Sequence, residues 1–223
     1  FFSGSSTYAA SSELQRIIRA GYDSKDRTYL LTTPDSKLKT RPRSTIASEK
    51  QPSVDGALLY VRGSDQYVFI RHDAGGSEFI TGCDGKLAWS VPPRGRVRLS
   101  NDMNRFRGAV PGQQHDIPFI DIRENLNQLL NSYELSISDE DLNSECRQII
   151  AVRKTSVSGG PKEVTIRYHA TSGLIQTMKF ERLPQARGGP RSILMDLIST
   201  EDLGPDFFNH NSHHDNTREV IEE

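Results

Sequence analysis

The chain has 223 residues, and its 28 Lys and Arg residues nearly balance 29 Asp and Glu residues, which leaves a formal net charge of −1. A charge this close to zero excludes an overall field that would draw the chain to nucleic acid or to an anionic membrane. No apolar run approaches the eighteen or so residues that a membrane-spanning helix needs, and no signal peptide is evident. The length suits one large β-rich domain or two small ones.

The N-terminal region is predicted to contain one short helix. Residues 1–11 are small and polar, and we expect them to form a flexible lead-in. After Ser12, apolar residues recur at the spacing of one helical face, and these are Leu14, Ile17 and Ile18. Gly21 is well placed to end the helix.

A basic segment follows the first predicted strand, RTYLLTT at 27–33. Between 35 and 53, Lys and Arg are scattered among Ser, Thr and Pro, with few apolar residues. Such a segment buries too little surface to offset its ordering entropy, so an exposed basic loop is predicted. A clamp for phosphate or lipid headgroups is the functional alternative.

Consecutive strands separated by tight turns dominate the centre of the chain. The strand-like segments are ALLYV (57–61), YVFIR (67–71), EFITG (78–82), KLAWSV (86–91) and RVRLS (96–100). Gly, Asp, Ser and Pro fill the breaks, and these residues tolerate turn backbone angles. Connections this short join antiparallel neighbours, because a parallel return needs a crossover of a dozen residues or more. The centre is therefore predicted to be an antiparallel meander.

Aromatic side chains of the meander are candidate ligand contacts. Trp89 alternates with Ala88 and Ser90, which places it on one apolar face with Leu87 and Val91. If the register permits, three side chains of the preceding strands share that face, and these are Tyr67, Phe69 and Phe79. Two interpretations stay open, an ordinary sandwich core and a wall that lines a ligand cavity.

The second half is predicted to return to strands after one helix. Residues 101–119 form an irregular excursion of a kind that often serves as a lid or a binding loop. A helix follows near Asp121–Ser132. Strands are then predicted at 133–138, 146–155, 162–169, 173–183 and 192–200, and the fourth of these places Met178 and Phe180 on one face. Phe207 and Phe208 are expected to return to the body of the fold, ahead of a polar tail over 209–223.

That tail contains the clearest cluster of metal-binding side chains. His210, His213 and His214 lie close together beside Asp215, and clustered imidazoles can bind zinc. The spacing matches no recognised motif, so a capping or solvated His-rich terminus is the other interpretation, and we predict no cofactor. The sequence has no GxSxG elbow, no GxxxxGK[ST] loop and no GxGxxG. We therefore expect no enzyme, and a hydrolase or a metal-binding protein that uses the tail is the alternative.

The two cysteines, Cys83 and Cys146, lie far apart in different contexts. Two cysteines do not make a disulfide framework. A bridge between them and two separate thiols are both consistent with the sequence.

Two local motifs and the order of the elements carry a resemblance. DGKLAW (84–89) is an Asp-Gly turn that leads into a Trp strand, and TSGLI (171–175) with Met178 belongs to a late hairpin. With a short N-terminal helix, a long meander and a central helix, they resemble the LolA/LolB/RseB-like superfamily of bacterial lipoprotein carriers. The resemblance implies a mainly β (α+β) fold over 12–208, in which a large curved antiparallel sheet, or incomplete β-barrel, is covered by short helices.

The resemblance also implies a function. It indicates a non-catalytic apolar cavity between sheet and helices that holds a lipid or a lipidated protein, with a wall formed by Tyr67, Phe69, Phe79, Leu87, Trp89, Met178 and Phe180. Similar domains occur in extracytoplasmic parts of membrane-anchored envelope and anti-sigma-like proteins. This implies a periplasmic or extracytoplasmic location, an anchor upstream of Phe1, and a membrane-anchored or regulatory partner. The alternative is a surface-acting, partner-binding sensor domain with a packed core.

Overall fold

The computed structural model describes residues 3–21, 23–34, 52–106, 122–138, 145–184 and 190–223. The helices within these ranges are α1 (Ser3–Ala20) and α2 (Ile122–Ser132). The strands are β1 (Asp26–Thr32), β2 (Ala57–Arg62), β3 (Gln66–His72), β4 (Glu78–Asp84), β5 (Ala88–Val91), β6 (Val97–Ser100), β7 (Tyr133–Ile137), β8 (Cys146–Arg153), β9 (Glu163–His169), β10 (Ile175–Glu181), β11 (Ile193–Ser199) and β12 (Val220–Glu222).

The strands form one open sheet in the order β12-β6-β5-β4-β3-β2-β1-β11-β10-β9-β8-β7. Strands β2 to β6 are consecutive antiparallel neighbours, so the predicted meander is confirmed. The other pairs are antiparallel as well, except that β12 runs parallel to β6. The predicted fold class, a mainly β chain with a large curved sheet covered by short helices, is confirmed.

One face of the sheet packs against both helices. Its buried apolar side chains form one group with those of the helices, which we call the helix-side cluster. The helices contribute Ala10, Leu14, Ile17, Ile18, Leu126 and Leu129. Strands β1 to β4 and β7 to β11 contribute most of the rest, among them Tyr29, Leu59, Tyr67, Phe69, Cys83, Leu135, Ile166, Tyr168, Met178, Phe180 and Met195.

The C-terminal segment covers the opposite face of the meander. The buried residues there, which we call the outer cluster, are Val68, Ile80, Trp89, Val91, Val97, Leu99 and Phe208. Phe207 packs against this group, so the predicted return of Phe207 and Phe208 to the body of the fold is confirmed. The indole Nε1 of Trp89 donates a buried hydrogen bond to the carbonyl oxygen of Phe208 at 3.0 Å.

The first helix is longer than predicted. It begins at Ser3, so the expectation of a flexible lead-in is wrong from Ser3 onward. Ala10 is fully buried in the helix-side cluster. Tertiary packing of a small residue therefore supports this part of the helix, and no stripe of large apolar residues marks it in the sequence.

The segment predicted as a polar tail is partly regular. It contains a 3-10 helix (His210–His213) and β12. β12 pairs with β6 through Val220↔Val97 and Glu222↔Leu99, and Arg96 pairs with Glu219 at 2.8 Å. The limits of the domain, expected at 12–208, stay a prediction.

Three predicted segments fall largely on residues outside the described ranges. These are the basic loop at 35–53, most of the excursion at 101–119 and Asp121, the expected N-cap of the central helix. The helix itself, at Ile122–Ser132, is confirmed.

Candidate functional site

The helix-side face of β3 and β4 places aromatic side chains around one arginine. The register pairs Tyr67 with Cys83, Phe69 with Thr81 and Arg71 with Phe79. Because alternate residues of a strand lie on the same face, Tyr67, Phe69 and Arg71 form one row. Tyr67 is 1% exposed and Phe69 is fully buried. The apolar row therefore ends in a charged group.

Arg71 is only 4% exposed and lies between two aromatic rings. Its guanidinium carbon is 5.1 Å from the ring centre of Phe69 and 5.0 Å from that of Phe79, within cation–π range. Its Nε has no hydrogen-bond acceptor, and no ion pair joins Arg71 to a carboxylate in the described ranges. Burial lowers the pKa of Arg71 to about 10, so the side chain is still a cation at neutral pH.

The sequence analysis missed Arg71. A signal for it exists, because position 71 continues the alternation of Tyr67 and Phe69 and puts a charge where an apolar residue is expected. In the sequence, an arginine at the end of a strand is interpreted as a solvated residue. Only the burial of the Arg71 side chain in the structure distinguishes it from one.

Polar groups at one rim attach α1 to the sheet. Glu13 accepts hydrogen bonds from the Tyr168 hydroxyl at 2.9 Å and from Arg16 at 2.7 Å, and it pairs with Arg147 at 3.3 Å. Arg16 also donates to the carbonyl oxygen of Thr171. Burial opposes ionisation of Glu13, but the bonds from Arg16 and Tyr168 outweigh it and lower the pKa of that carboxyl. We call Glu13, Arg147 and Tyr168 the α1 latch.

The predicted aromatic wall is divided between the two faces of the sheet. Trp89 pairs with Gly82, which pairs with Val68, so Trp89 lies on the face opposite Tyr67 and Phe69. The expectation that Trp89 shares their face is therefore wrong. For Trp89 to share the face of Tyr67 and Phe69, the pairing of β5 with β4 would have to shift by one residue. Such a shift moves every side chain of a strand to the other face.

The other predicted wall residues lie at three places. Met178 and Phe180 belong to the helix-side cluster on β10, but β2, β1 and β11 separate them from β3 in the sheet. Phe79 is half-buried beside Arg71. Leu87 is half-buried in the turn before β5. A role in a ligand cavity stays a prediction for all of these residues.

The histidines of the C-terminal segment contact one another and the outer cluster. His210 Nδ1 lies 3.0 Å from His214 Nε2, and their rings stack. His213 stacks on Trp89, with ring centres 5.1 Å apart, and its Nε2 is 2.6 Å from the carbonyl oxygen of Phe207. Burial is the main cause of a lowered pKa for both His210 and His213. The described ranges hold no group of three or more side chains suited to a metal ion.

The cysteines lie on different strands. Cys83 is fully buried on β4, and Cys146 is half-buried on β8. No disulfide joins them. Of the two interpretations of the sequence, the two separate thiols are therefore the one observed.

A polar groove of about 530 Å³ lies near the start of β1. Its lining residues are Ser24, Lys25, Asp26, Arg62, Thr200, Asp202, Gly204 and Pro205. Arg62 and Asp26 form a two-pronged ion pair at 2.6 and 2.7 Å, and Asp26 also accepts the amide of Leu203 at 2.7 Å. The central charges of this groove therefore neutralise each other. Neither α1 nor α2, in the described part, has the length and apolar character to cross a bilayer.

Solved structures of similar shape were found. The lipoprotein LppX of Mycobacterium tuberculosis is similar over 89% of this chain and 99% of its own, with 12% identity and a TM-score of 0.50. LprF from Mycobacterium bovis is similar over 89% and 97%, with 11% identity and a TM-score of 0.43. A LolA superfamily protein from Nitrosomonas europaea is similar over 90% and 97%, with 12% identity and a TM-score of 0.34. No protein-family model and no curated protein matches the sequence.

At these identities the likeness concerns the fold. The chain has a LolA/LolB/RseB-like fold, as its motifs and order of elements suggested.

Proposed function

We propose that this chain is a non-catalytic binding module of the bacterial cell envelope. It holds a lipid, the acyl chains of a lipoprotein or another apolar ligand between the sheet and the helices. The likeness in fold to LppX, a lipoprotein, supports the envelope location.

The observation that carries the proposal is the width of the apolar face relative to its helical cover. The helix-side cluster extends over nine consecutive strands, from β4 to β7 in the sheet order. At about 4.8 Å per strand, nine strands span roughly 38 Å. α1 has 18 residues, about 27 Å, and runs across the strands from β7 to β1, where Arg27 donates to the carbonyl oxygen of Ala20, so it ends short of β2 to β4. An apolar guest is suited to the part of the apolar face that the helices do not cover.

Entry of a guest requires the cover to move. Tyr67 and Phe69 are at most 1% exposed, so a ligand reaches them only after a cover is displaced. α1 is attached at its rim by the α1 latch, whose acceptor Glu13 has a side chain 20% exposed. Polar contacts near solvent are weak, which suits a cover that opens.

A second candidate is a packed domain that acts through its surface on a partner protein. Residues of the helix-side cluster are at most 8% exposed, which favours this alternative. The two candidates differ in lipid uptake, because a fully packed face takes up no lipid.

Native mass spectrometry of the gently purified protein, before and after denaturation, separates the two. Release of lipid mass supports the binding module. A bare polypeptide, together with no uptake of a fluorescent fatty acid, supports the packed domain.

Neighbouring residues of β3 supply matched variants. Phe69 faces the helices and Val68 faces the outer cluster. Phe69→Leu should weaken fatty acid binding roughly fivefold, for about 1 kcal/mol of lost apolar contact. Val68→Ala should leave binding unchanged although it also disturbs a core. Equal effects of the two variants would contradict binding on the helix-side face.

A further inference from the structure

Arg71 differs from the other poorly exposed arginines on β1 to β3. Arg27, 6% exposed, donates to the carbonyl oxygens of Ala20 and Asp23, and Arg62 forms its two-pronged pair with Asp26. Arg71 is 4% exposed, and its Nε has neither kind of acceptor among the residues that the structure describes. Charged side chains are almost never buried without a partner, because removal from water is costly. A buried guanidinium whose Nε has no acceptor in the described ranges is therefore a place for an anion.

The carboxylates that follow Arg71 at the turn between β3 and β4 are committed elsewhere. Asp73 Oδ1 accepts the amides of Gly75 and Ser77 in the turn between β3 and β4, at 2.8 and 2.9 Å. Glu78 lies opposite His72 on the other face and is 3.4 Å from its Nε2. Neither is positioned to neutralise Arg71.

Two aromatic rings lie against the guanidinium of Arg71 and leave its donors available. Phe69 and Phe79 contact the guanidinium through their rings, at about 5 Å. An aromatic ring offers a guanidinium no oxygen or nitrogen acceptor, so the N–H groups stay available for one. The N–H edge of a guanidinium matches the two oxygens of a carboxylate or a phosphate.

The surroundings select an anion that carries an apolar chain. From Arg71, the row continues through Phe69 to Tyr67 along about 13 Å of strand, all within the buried helix-side face. A free inorganic anion would lose water beside these walls and gain one pair of hydrogen bonds. A lipid with an acidic headgroup places its charge at Arg71, near the turn, and its chain along the row.

We propose that the ligand of the helix-side face is an anionic lipid, whose carboxylate or phosphate group pairs with Arg71. This inference rests on the proposed lipid-binding function and specifies the chemical class of the lipid.

Displacement of the neutral dye Nile red from the full chain tests the proposal. The competitors are oleate against methyl oleate, and dioleoyl phosphatidate against dioleoylglycerol, with acetate and inorganic phosphate alone as further arms. We expect the wild-type chain to bind each acid at least about tenfold more tightly than its neutral counterpart. Acetate and phosphate should displace no dye and should not compete with oleate.

Two variants assign the preference to Arg71. Arg71→Gln should remove the preference for acids and leave methyl oleate binding unchanged, while Arg71→Lys should retain part of it. Arg167→Gln is the matched control, because it removes a positive charge from the exposed face of β9 and should preserve the preference. If Arg71→Gln does not fold, the ratio of the affinities of the wild-type chain for oleate and for methyl oleate tests the proposal.

The outcomes separate this inference from the proposed function. Equal binding of acids and neutral lipids by the wild-type chain overturns the role of Arg71 and leaves lipid binding intact. No displacement by any lipid overturns both. Competition by inorganic phosphate that depends on Arg71 overturns the lipid as the source of the anion.

Discussion

Gly82→Ala should destabilise the chain, because the missing Cβ of Gly82 makes room for Trp89. The two residues are partners across β4 and β5. A Cβ at position 82 would lie 2.2 Å from Cζ2 and 2.5 Å from Cε2 of the indole ring, whereas ordinary contact begins near 3.4 Å. The ring would have to move by more than an ångström. Gly82 is not among the glycines with a positive φ, so the conflict is steric.

The magnitude follows from two losses. Overpacking of a core costs about 1–3 kcal/mol. Moving the ring also disturbs the buried hydrogen bond from Trp89 Nε1 to Phe208, and a buried donor left without its acceptor costs about 1–3 kcal/mol. We expect the free energy of unfolding to fall by roughly 3 kcal/mol. Gly75→Ala, on an exposed turn where the new Cβ meets only Asp73, should change it by about 0.5 kcal/mol or less.

Urea unfolding followed by far-ultraviolet circular dichroism measures these changes in a double-mutant cycle with Trp89→Leu. The smaller leucine leaves space, so Gly82→Ala should cost about 0.5 kcal/mol or less in that background. The same cost in both backgrounds would refute the ring as its cause, and with it the register that places Trp89 on the outer face.

Three further predictions concern charged groups. Because the pKa of His213 is lowered in the folded chain, the unfolded chain binds more protons at mildly acidic pH. The stability present at neutral pH should therefore be lost as the pH falls from about 6.5 toward the pKa of the folded chain. The fluorescence of Trp89, the only tryptophan, should report this loss, since His213 stacks on its ring. Asp26→Asn should lower the free energy of unfolding by about 3 kcal/mol in urea titrations, since it breaks a pair with Arg62 in which the Asp26 side chain is 3% exposed. Glu13→Gln should speed uptake of a fluorescent fatty acid roughly fivefold, from about 1 kcal/mol of lost attachment of α1.

Each of these has a contradicting result. The pH response should be flattened in His213→Gln, and an unchanged response would exclude this histidine. An Asp26→Asn variant as stable as the wild-type chain would mean that the ion pair between Asp26 and Arg62 does not stabilise the fold. Slower or unchanged uptake by Glu13→Gln would exclude the α1 latch as the barrier to entry.

Local patterns sufficed for the strands and for their order within the meander. Short apolar segments such as 67–71, separated by turns such as the one at Asp84-Gly85, can be joined only as antiparallel neighbours. The Asp84 carboxylate accepts the amides of Lys86 and Leu87, as a turn of this kind requires. These elements depend on sequence neighbours, which is why they could be predicted.

The faces of the strands could not be assigned in the same way. Tyr67 and Val68 are both apolar, because the helices cover one side of β3 and the C-terminal segment covers the other. A strand buried on both sides carries no sign of which face is which, and a shift of one residue reverses the assignment. The position of Trp89 therefore depended on the register with Gly82. β12 has three residues and no apolar periodicity, so the sequence pattern could not predict it either.

The two covers of the sheet differ in how firmly they are attached, and this difference favours ligand entry on the helix side. The C-terminal segment is held by a strand pairing, by the buried bond from Trp89 to Phe208 and by the bond from the Leu203 amide to Asp26. α1 is held by its buried apolar side chains and by the bond from Arg27 to Ala20, but its attachment at the rim is a carboxylate that water partly reaches. Local opening requires the least free energy where polar contacts are solvated. The face that opens more easily is thus the one on which Arg71 is buried, with no counterion among the described residues.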